Sequence, residues 1–310
     1  MTRPFRFGVS CTTAAGPDEF VSAARRAEEL GYSSVAIADH LDSQCGPLVA
    51  LAAAASATTT IRLTPLVLAN DYRHPVVLAK ELATLDRFSG GRLEWGIGAG
   101  WMTADYARAG IPLDRAGVRI ARLRESIAVM KGCFAGEPFS FAGEHYTIDG
   151  LEPGPPPHSR PHPPLIVAGG GPKVLTLAAE EADIVGVNFG LQAGTFDPSA
   201  GPTGSPEATD DKLAVVRDVA GTRFDDLEIQ TRVHMAIVTD DRRGLADSMA
   251  GGFGLTADEA LAMPHVLIGT IDEMAVSLRE WRERWDISYV TWSLDAMETL
   301  APLVERLTGS

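Results

Sequence analysis

The chain has 310 residues, 45% of them hydrophobic, and its 41 acidic against 27 basic side chains give a net charge of −14. Such a balance argues against nucleic acid or an anionic membrane as the main partner, because both select a basic face. The apolar content suffices for one large α/β domain, yet no apolar run is long enough to span a bilayer and the first residues lack the apolar core of a secretory signal, so a cytoplasmic protein is expected.

Residues 6–10 read as an apolar strand, and Phe20, Ala24, Ala27 and Leu30 then recur at helical spacing up to Gly31. The rhythm repeats. Strand 34–38 precedes helix 48–57, strand 61–68 precedes helix 76–88, and strand 92–97 precedes the long helix 115–134. Further along, 164–168 leads to 174–182 and 183–187 leads to 211–220. Segment 227–238 runs into an irregular helical stretch, 265–268 into helix 272–285, and 287–293 into helix 297–307. In helix 272–285, Leu278, Trp281 and Trp285 share one stripe, which predicts packing against a sheet. About eight strand-then-helix units with no run of consecutive strands require a parallel sheet with helices outside. The length fits a single (β/α)8 TIM barrel over 1–310, with insertions near 139–164, 188–209 and 245–264. A doubly wound sheet is the alternative, but its nucleotide fingerprint is missing. Trp101 stands where GxGxxG after Gly96 needs its last glycine, and Val174 does so after Gly169. Cys11, Cys45 and Cys133 are too scattered for a disulfide framework, and no metal-ligand spacing occurs.

In a barrel, chemistry belongs at the carboxyl ends of the strands. Four such ends carry it here. The apolar run ending at Ala168 passes into Gly169-Gly170-Gly171-Pro172-Lys173, with Pro172 at the first helical position and Gly171 as its N-cap. Glycines there admit a phosphate to backbone N–H groups, the helix dipole favours the anion, and Lys173 adds a charge. The alternative is a tight turn that needs positive φ and binds nothing. The second strand ends in Asp39-His40. His40 can pass a proton, and Asp39 can orient it or hydrogen-bond a cofactor ring, unless the two merely cap a loop in water. Arg73 and His74 follow the third strand, either at an anion or in the turn before a helix. The fourth ends in Gly98-Ala99-Gly100-Trp101, where alternate glycines let a flat ring lie against backbone and Trp101 forms either a wall or a piece of core. A phosphate-bearing aromatic cofactor suits this set.

Arg73-His74-Pro75, Leu82-Ala83-Thr84-Leu85-Asp86, Ser89-Gly90-Gly91-Arg92-Leu93, the glycines of 96–101 and the Ala168–Gly171 turn resemble the bacterial luciferase-like monooxygenase superfamily. Within it the chain resembles actinobacterial members that use the deazaflavin coenzyme F420. The resemblance implies a barrel in which the ring lies over the ends of the third and fourth strands, at Asp39, Leu66, Val67, Asn70, Gly98, Ala99, Gly100 and Trp101. The phosphate would then sit at Ala168, Gly169, Gly170, Gly171 and Lys173. It further implies a bulged third strand with a non-prolyl cis peptide within 65–67. In deazaflavin-dependent sugar-phosphate dehydrogenases a His after an Asp at the second strand end acts in proton transfer, and Asp39-His40 matches. Those enzymes carry a Trp soon after that His, where this chain has Gln44, and a Glu after the fourth-strand glycines, where it has Trp101. A sugar phosphate is therefore not implied.

The expectation is an F420-dependent oxidoreductase moving a hydride between the ring and a small organic substrate, with His40 handling the proton. A monooxygenase using flavin mononucleotide (FMN) is the alternative. A barrel that binds cofactor without turnover is a third reading, which the Asp39-His40 pair opposes. The anionic tail of the deazaflavin would want basic groups near the cradle, for which Lys173, Arg73 and Arg160 are candidates. A homodimer is common for the fold.

Overall fold

The computed structural model describes residues 3–11, 16–41, 44–191, 194, 195 and 197–310. Eight parallel strands close into a barrel: β1 (Arg6–Cys11), β2 (Ser34–Ile37), β3 in two pieces (Arg62–Pro65 and Leu68–Ala69), β4 (Trp95–Gly98), β5 (Leu165–Gly169), β6 (Ile184–Val187), β7 (Glu228–Arg232) and β8 (Ile287–Ser293). Pairing runs from β8 through β1 to β2 and β3 on one side, and through β7, β6 and β5 to β4 on the other. The second piece of β3 pairs with β4 at Leu68↔Ile97, and a bridge between Leu63 and Leu93 closes the ring. A cis peptide joins Leu66 to Val67 between the two pieces of β3, inside the span the family resemblance implies.

The expected segment 227–238 divides, for a reason visible in its pairing. Only Glu228–Arg232 stays in the barrel; after Val233 the chain leaves it, and Met235–Val238 pairs in parallel with Val266–Gly269 as a separate two-stranded sheet. The segment 265–268 is thus not a barrel strand. Segment 139–164 contains the expected antiparallel hairpin, Phe139–Ala142 with Thr147–Leu151. The 188–209 segment carries a 3-10 helix, Pro198–Gly204, and the helix Pro206–Ala220 starts five residues before the expected 211 because the Ser205 hydroxyl accepts from the Ala208 N–H at its start. In 245–264 the helix Arg242–Met249 is followed by Ala257–Ala262. One short helix, Thr103–Ala109, has no counterpart in the sequence reading.

Local signals account for the helix starts. The helices Pro47–Ala57, Pro75–Phe88 and Pro172–Glu181 begin at a proline, which loses no hydrogen bond there. Ile271–Trp285 begins in a capping box in which Thr270 and Glu273 satisfy each other's backbone. Leu278, Trp281 and Trp285 on that helix are buried, as their stripe predicts. Beneath the sheet, Arg6 bridges Glu94 at 2.7 Å and Glu228 at 2.6 Å and lies 3.6 Å from the centre of the Tyr289 ring. This ionic plug leaves the opposite, carboxyl end of the strands for a pocket. Among the described residues no helix is long and apolar enough to cross a membrane.

Glu28, near the end of the helix Pro17–Glu29, clamps the approach to β3 by accepting from the N–H groups of Thr59 (2.9 Å), Thr60 (2.5 Å) and Ile61 (2.9 Å). Burial alone would raise its pKa, but these bonds outweigh it and hold the carboxyl at about 2. A carboxyl depressed in the fold stabilises above its ordinary pKa and loses that contribution as pH falls through the folded value. Glu28→Ala is therefore expected to cost about 2 kcal/mol at pH 7, read as a lower urea midpoint. The gap to the parent should narrow as pH drops from about 4.5 towards 2. A gap that stays constant across that window would show that the N–H bonds are not its source.

Candidate active site

A cavity of about 440 Å³ opens at the carboxyl ends of the strands, a size suited to a cofactor or substrate. Its wall includes Asp39, His40, Leu66, Val67, Gly98, Ala99, Gly100, Trp101, Ala168, Gly169, Gly170 and Gly171, so twelve positions singled out in the sequence converge on one pocket. Two others stand apart. Lys173 is exposed and outside the lining, with its ammonium towards Gly117. Asn70 is buried beneath the wall, donates to the Tyr146 hydroxyl at 3.5 Å, and leaves its own Oδ1 without a partner.

The Asp39-His40 pair does not act as a pair. Asp39, at the end of β2, takes a two-pronged ion pair from Arg73 (2.5 and 3.1 Å) and accepts from the Ala69 N–H at 3.1 Å. It therefore pins the second piece of β3, and Arg73 is occupied there rather than at the phosphate cradle. His40 instead meets Asp105, on the unforeseen helix Thr103–Ala109, with Nδ1 to Oδ2 at 2.8 Å. A carboxylate accepts, so Nδ1 carries the proton and Nε2 is the nitrogen left for a reacting group. Asp105 is buried and also accepts from the Tyr72 hydroxyl at 3.5 Å. Burial, reinforced by the Asp105 charge, pushes the Tyr72 phenol above its usual range, so it stays protonated and keeps donating. The Trp101 ring stands edge-on to His40, centroids 5.7 Å apart, which places it in the wall.

The glycines serve more than one end. A Cβ on Gly96 would lie 2.2 Å from the Pro65 carbonyl oxygen and one on Gly98 3.0 Å from Val67, so these two let β4 accept the bulge in β3. None of Gly169, Gly170 and Gly171 has positive φ, which removes the turn geometry that would otherwise explain them. Gly169 is required by Val174, 2.4 Å from where its Cβ would be, and Gly170 by the Phe189 carbonyl oxygen at 2.0 Å. Gly171 does precede a helix starting at Pro172, no side chain caps that start, and Gly171 and Val174 line the cavity, so the positive end of the dipole lies at the pocket's edge. Arg160 precedes β5 and sits at its amino end; with a rise of about 3.3 Å per residue the strand carries the cradle some 17 Å away. Arg119 is a basic side chain of the wall on this side, where it donates to the carbonyls of Ala99 (3.1 Å) and Gly100.

On the far wall Gln230, Arg232 and His234, spaced by two along β7 and just beyond it, also line the cavity. Alternation of polar residues at 230, 232 and 234 in a strand that must face a barrel interior was the signal available for them. The lid side is formed by Asn188, Phe189 and Leu191. Phe189 packs with Ala200 and Met263 in an apolar cluster of its own, joined by Leu191, Leu255 and Val266. Lys212 ties this segment down by donating to the carbonyls of Asn188 (2.8 Å) and Thr203, and burial lowers its pKa to about 8.

Fold and pocket together define an α/β-barrel enzyme with its site at the carboxyl ends of the strands. Residues 1–195 match the model of the luciferase-like monooxygenase family, and the chain belongs to that family. It is 36% identical over 109 residues to the F420-dependent glucose-6-phosphate dehydrogenase of Microbacterium testaceum, covering 32% of each chain. The chain spans under half the length of the curated relatives it matches. Among solved structures it resembles the coenzyme F420 dependent tetrahydromethanopterin reductase from Methanopyrus kandleri, with TM-score 0.78 and 18% identity over 98% of this chain and 100% of that one. It also resembles the monooxygenase RslO1 from Streptomyces bottropensis, with TM-score 0.74 and 22% identity over 97% and 99%. A coenzyme F420 dependent reductase and a monooxygenase therefore share this fold.

Proposed function

We propose that the protein is an oxidoreductase that uses coenzyme F420, with His40 moving the proton that accompanies hydride transfer to or from a small organic substrate. The observation that carries this reading is the His40–Asp105 bond in the cavity wall. It fixes one tautomer and leaves Nε2 as a proton donor or acceptor beside an apolar, glycine-lined pocket. The pocket fits a flat ring. Its wall beside β4 is Gly98 and Ala99, Val67 stands in the bulge opposite, and the uncapped helix start after Gly171 is suited to a phosphate. When bound, the deazaflavin supplies a two-electron donor or acceptor. The residues do the rest: Asp105 holds His40 in place and balances charge on its ring, Tyr72 holds Asp105, and Asp39 keeps the β3 bulge against the pocket.

The FMN monooxygenase reading shares ring and phosphate and is separated by a titration. The protein's tryptophan fluorescence is followed as coenzyme F420 or FMN is added, with Trp101 as the reporter in the wall. Saturable quenching by coenzyme F420 at micromolar levels is expected, with FMN weaker by about tenfold or more. Micromolar FMN binding without coenzyme F420 binding would reverse the assignment.

A further inference from the structure

Arg232 is the anomaly of this pocket. It lies in the cavity wall at the end of β7, and its Nε is buried with no hydrogen-bond partner. Among the described residues its side chain makes one hydrogen bond, Nη1 to the Ser10 hydroxyl at 3.1 Å, reaching past β8 from β7 to β1. Three other inner arginines are neutralised, Arg6 by Glu94, Arg73 by Asp39 and Arg122 by Asp71, and Arg119 in the same wall donates to the carbonyls of Ala99 and Gly100. Among the described residues no carboxylate comes within ion-pair distance of Arg232, in a chain with 41 acidic side chains to offer one. A guanidinium withdrawn from water with a donor unused is costly unless an anion completes it.

We infer that Arg232 forms an oxyanion subsite in the cavity and that the substrate carries a carboxylate which the guanidinium receives. Position separates this subsite from a cofactor phosphate. The uncapped helix start belongs to the fifth strand unit, whereas Arg232 lies two strands further round the barrel and faces Ser10 on the first. Gln230, deeper on the same face of β7, is already committed through Nε2 to Thr231 O and Thr291 Oγ1. His234, at the mouth, is directed through Nε2 to Asn188 Oδ1 at 3.0 Å. Arg232 between them is the member of the row with a donor still to give. The inference rests on the proposed oxidoreductase for the identity of the ligand as substrate, but the anion site itself is independent of that reading.

The test uses the full chain, first without cofactor and then saturated with coenzyme F420, titrated calorimetrically with sodium propionate at constant ionic strength. Saturable propionate binding is expected in both states, with 1-propanol, its uncharged analogue, giving none. Arg232→Met should weaken propionate by about tenfold or more, and Arg232→Lys by less because the charge remains. Equal propionate affinity in the parent and Arg232→Met would overturn the subsite. So would loss of propionate binding on adding coenzyme F420 together with loss of F420 affinity in Arg232→Met, which would give Arg232 to the cofactor's own anionic groups. If Arg232→Met fails to give the parent circular-dichroism spectrum, the comparison of parent with Arg232→Lys carries the test, and equal affinity in those two overturns the proposal. Failure of coenzyme F420 to bind the parent would instead sink the functional reading, while Arg232-dependent propionate binding would leave the subsite standing.

Discussion

His40→Ala is expected to slow turnover about 10²- to 10⁴-fold, the usual worth of a positioned proton donor or acceptor, with coenzyme F420 affinity within about threefold of the parent. The separation of the two effects follows from geometry. His40 is fixed through Nδ1 by Asp105, on a different element from the β3 bulge and the glycine wall that would hold a ring. Asp105→Asn should lie between parent and His40→Ala. An amide oxygen can still accept from Nδ1, but the charge-assisted bond that holds the ring in place is replaced by a weaker neutral one. Steady-state kinetics alongside fluorescence titration read both quantities. Should cofactor affinity collapse with turnover in His40→Ala, the imidazole would be a structural prop of the pocket rather than its proton carrier.

Asp39→Ala is expected to do something different, namely to lower stability by about 3 kcal/mol, as breaking a buried ion pair does. The Asp39 carboxylate is 2% exposed, Arg73 would be left without it, and the Ala69 N–H would lose its acceptor. Ala69 lies in the short piece of β3 that pairs with β4 at Gly98, so cofactor affinity should fall along with the thermal midpoint. The sequence reading allowed Asp39 a part in orienting His40, and that role predicts the reverse pattern. A variant with an unchanged thermal midpoint and strongly reduced kcat would restore it.

The barrel is legible in the sequence because most of its strands are buried on both faces and read as largely apolar runs, each followed by a helix. The pocket wall is legible for a related reason. Glycines and ionisable groups directly after such runs have few structural explanations, and Asp39, His40, Gly98 and Gly169 do line the cavity. What escapes is partnership across the chain. Asp105 is separated from His40 by 65 positions and sits on a seven-residue helix too short to show a period. Nothing local distinguishes it from the surface acids of a chain this acidic. Arg73 and Arg160 fit a demand for positive charge, but a neighbouring carboxylate claims the first and strand direction removes the second. The departure of the chain from the barrel after Val233 is hidden because the apolar alternation continues through Met235–Val238, now serving a different sheet.

That departure has an evolutionary consequence. The lid cluster of Phe189, Ala200 and Met263 shares no buried member with the main core that holds the barrel together. Changes confined to it couple weakly to the stability of the barrel, since residues without shared contacts contribute nearly additively. The molecule is in this respect a chassis with an exchangeable front. Descendants can trade the 198–204 and 250–264 stretches as a matched pair while the strand-end wall beneath, with Gly98, Ala99 and the His40–Asp105 bond, is inherited unchanged.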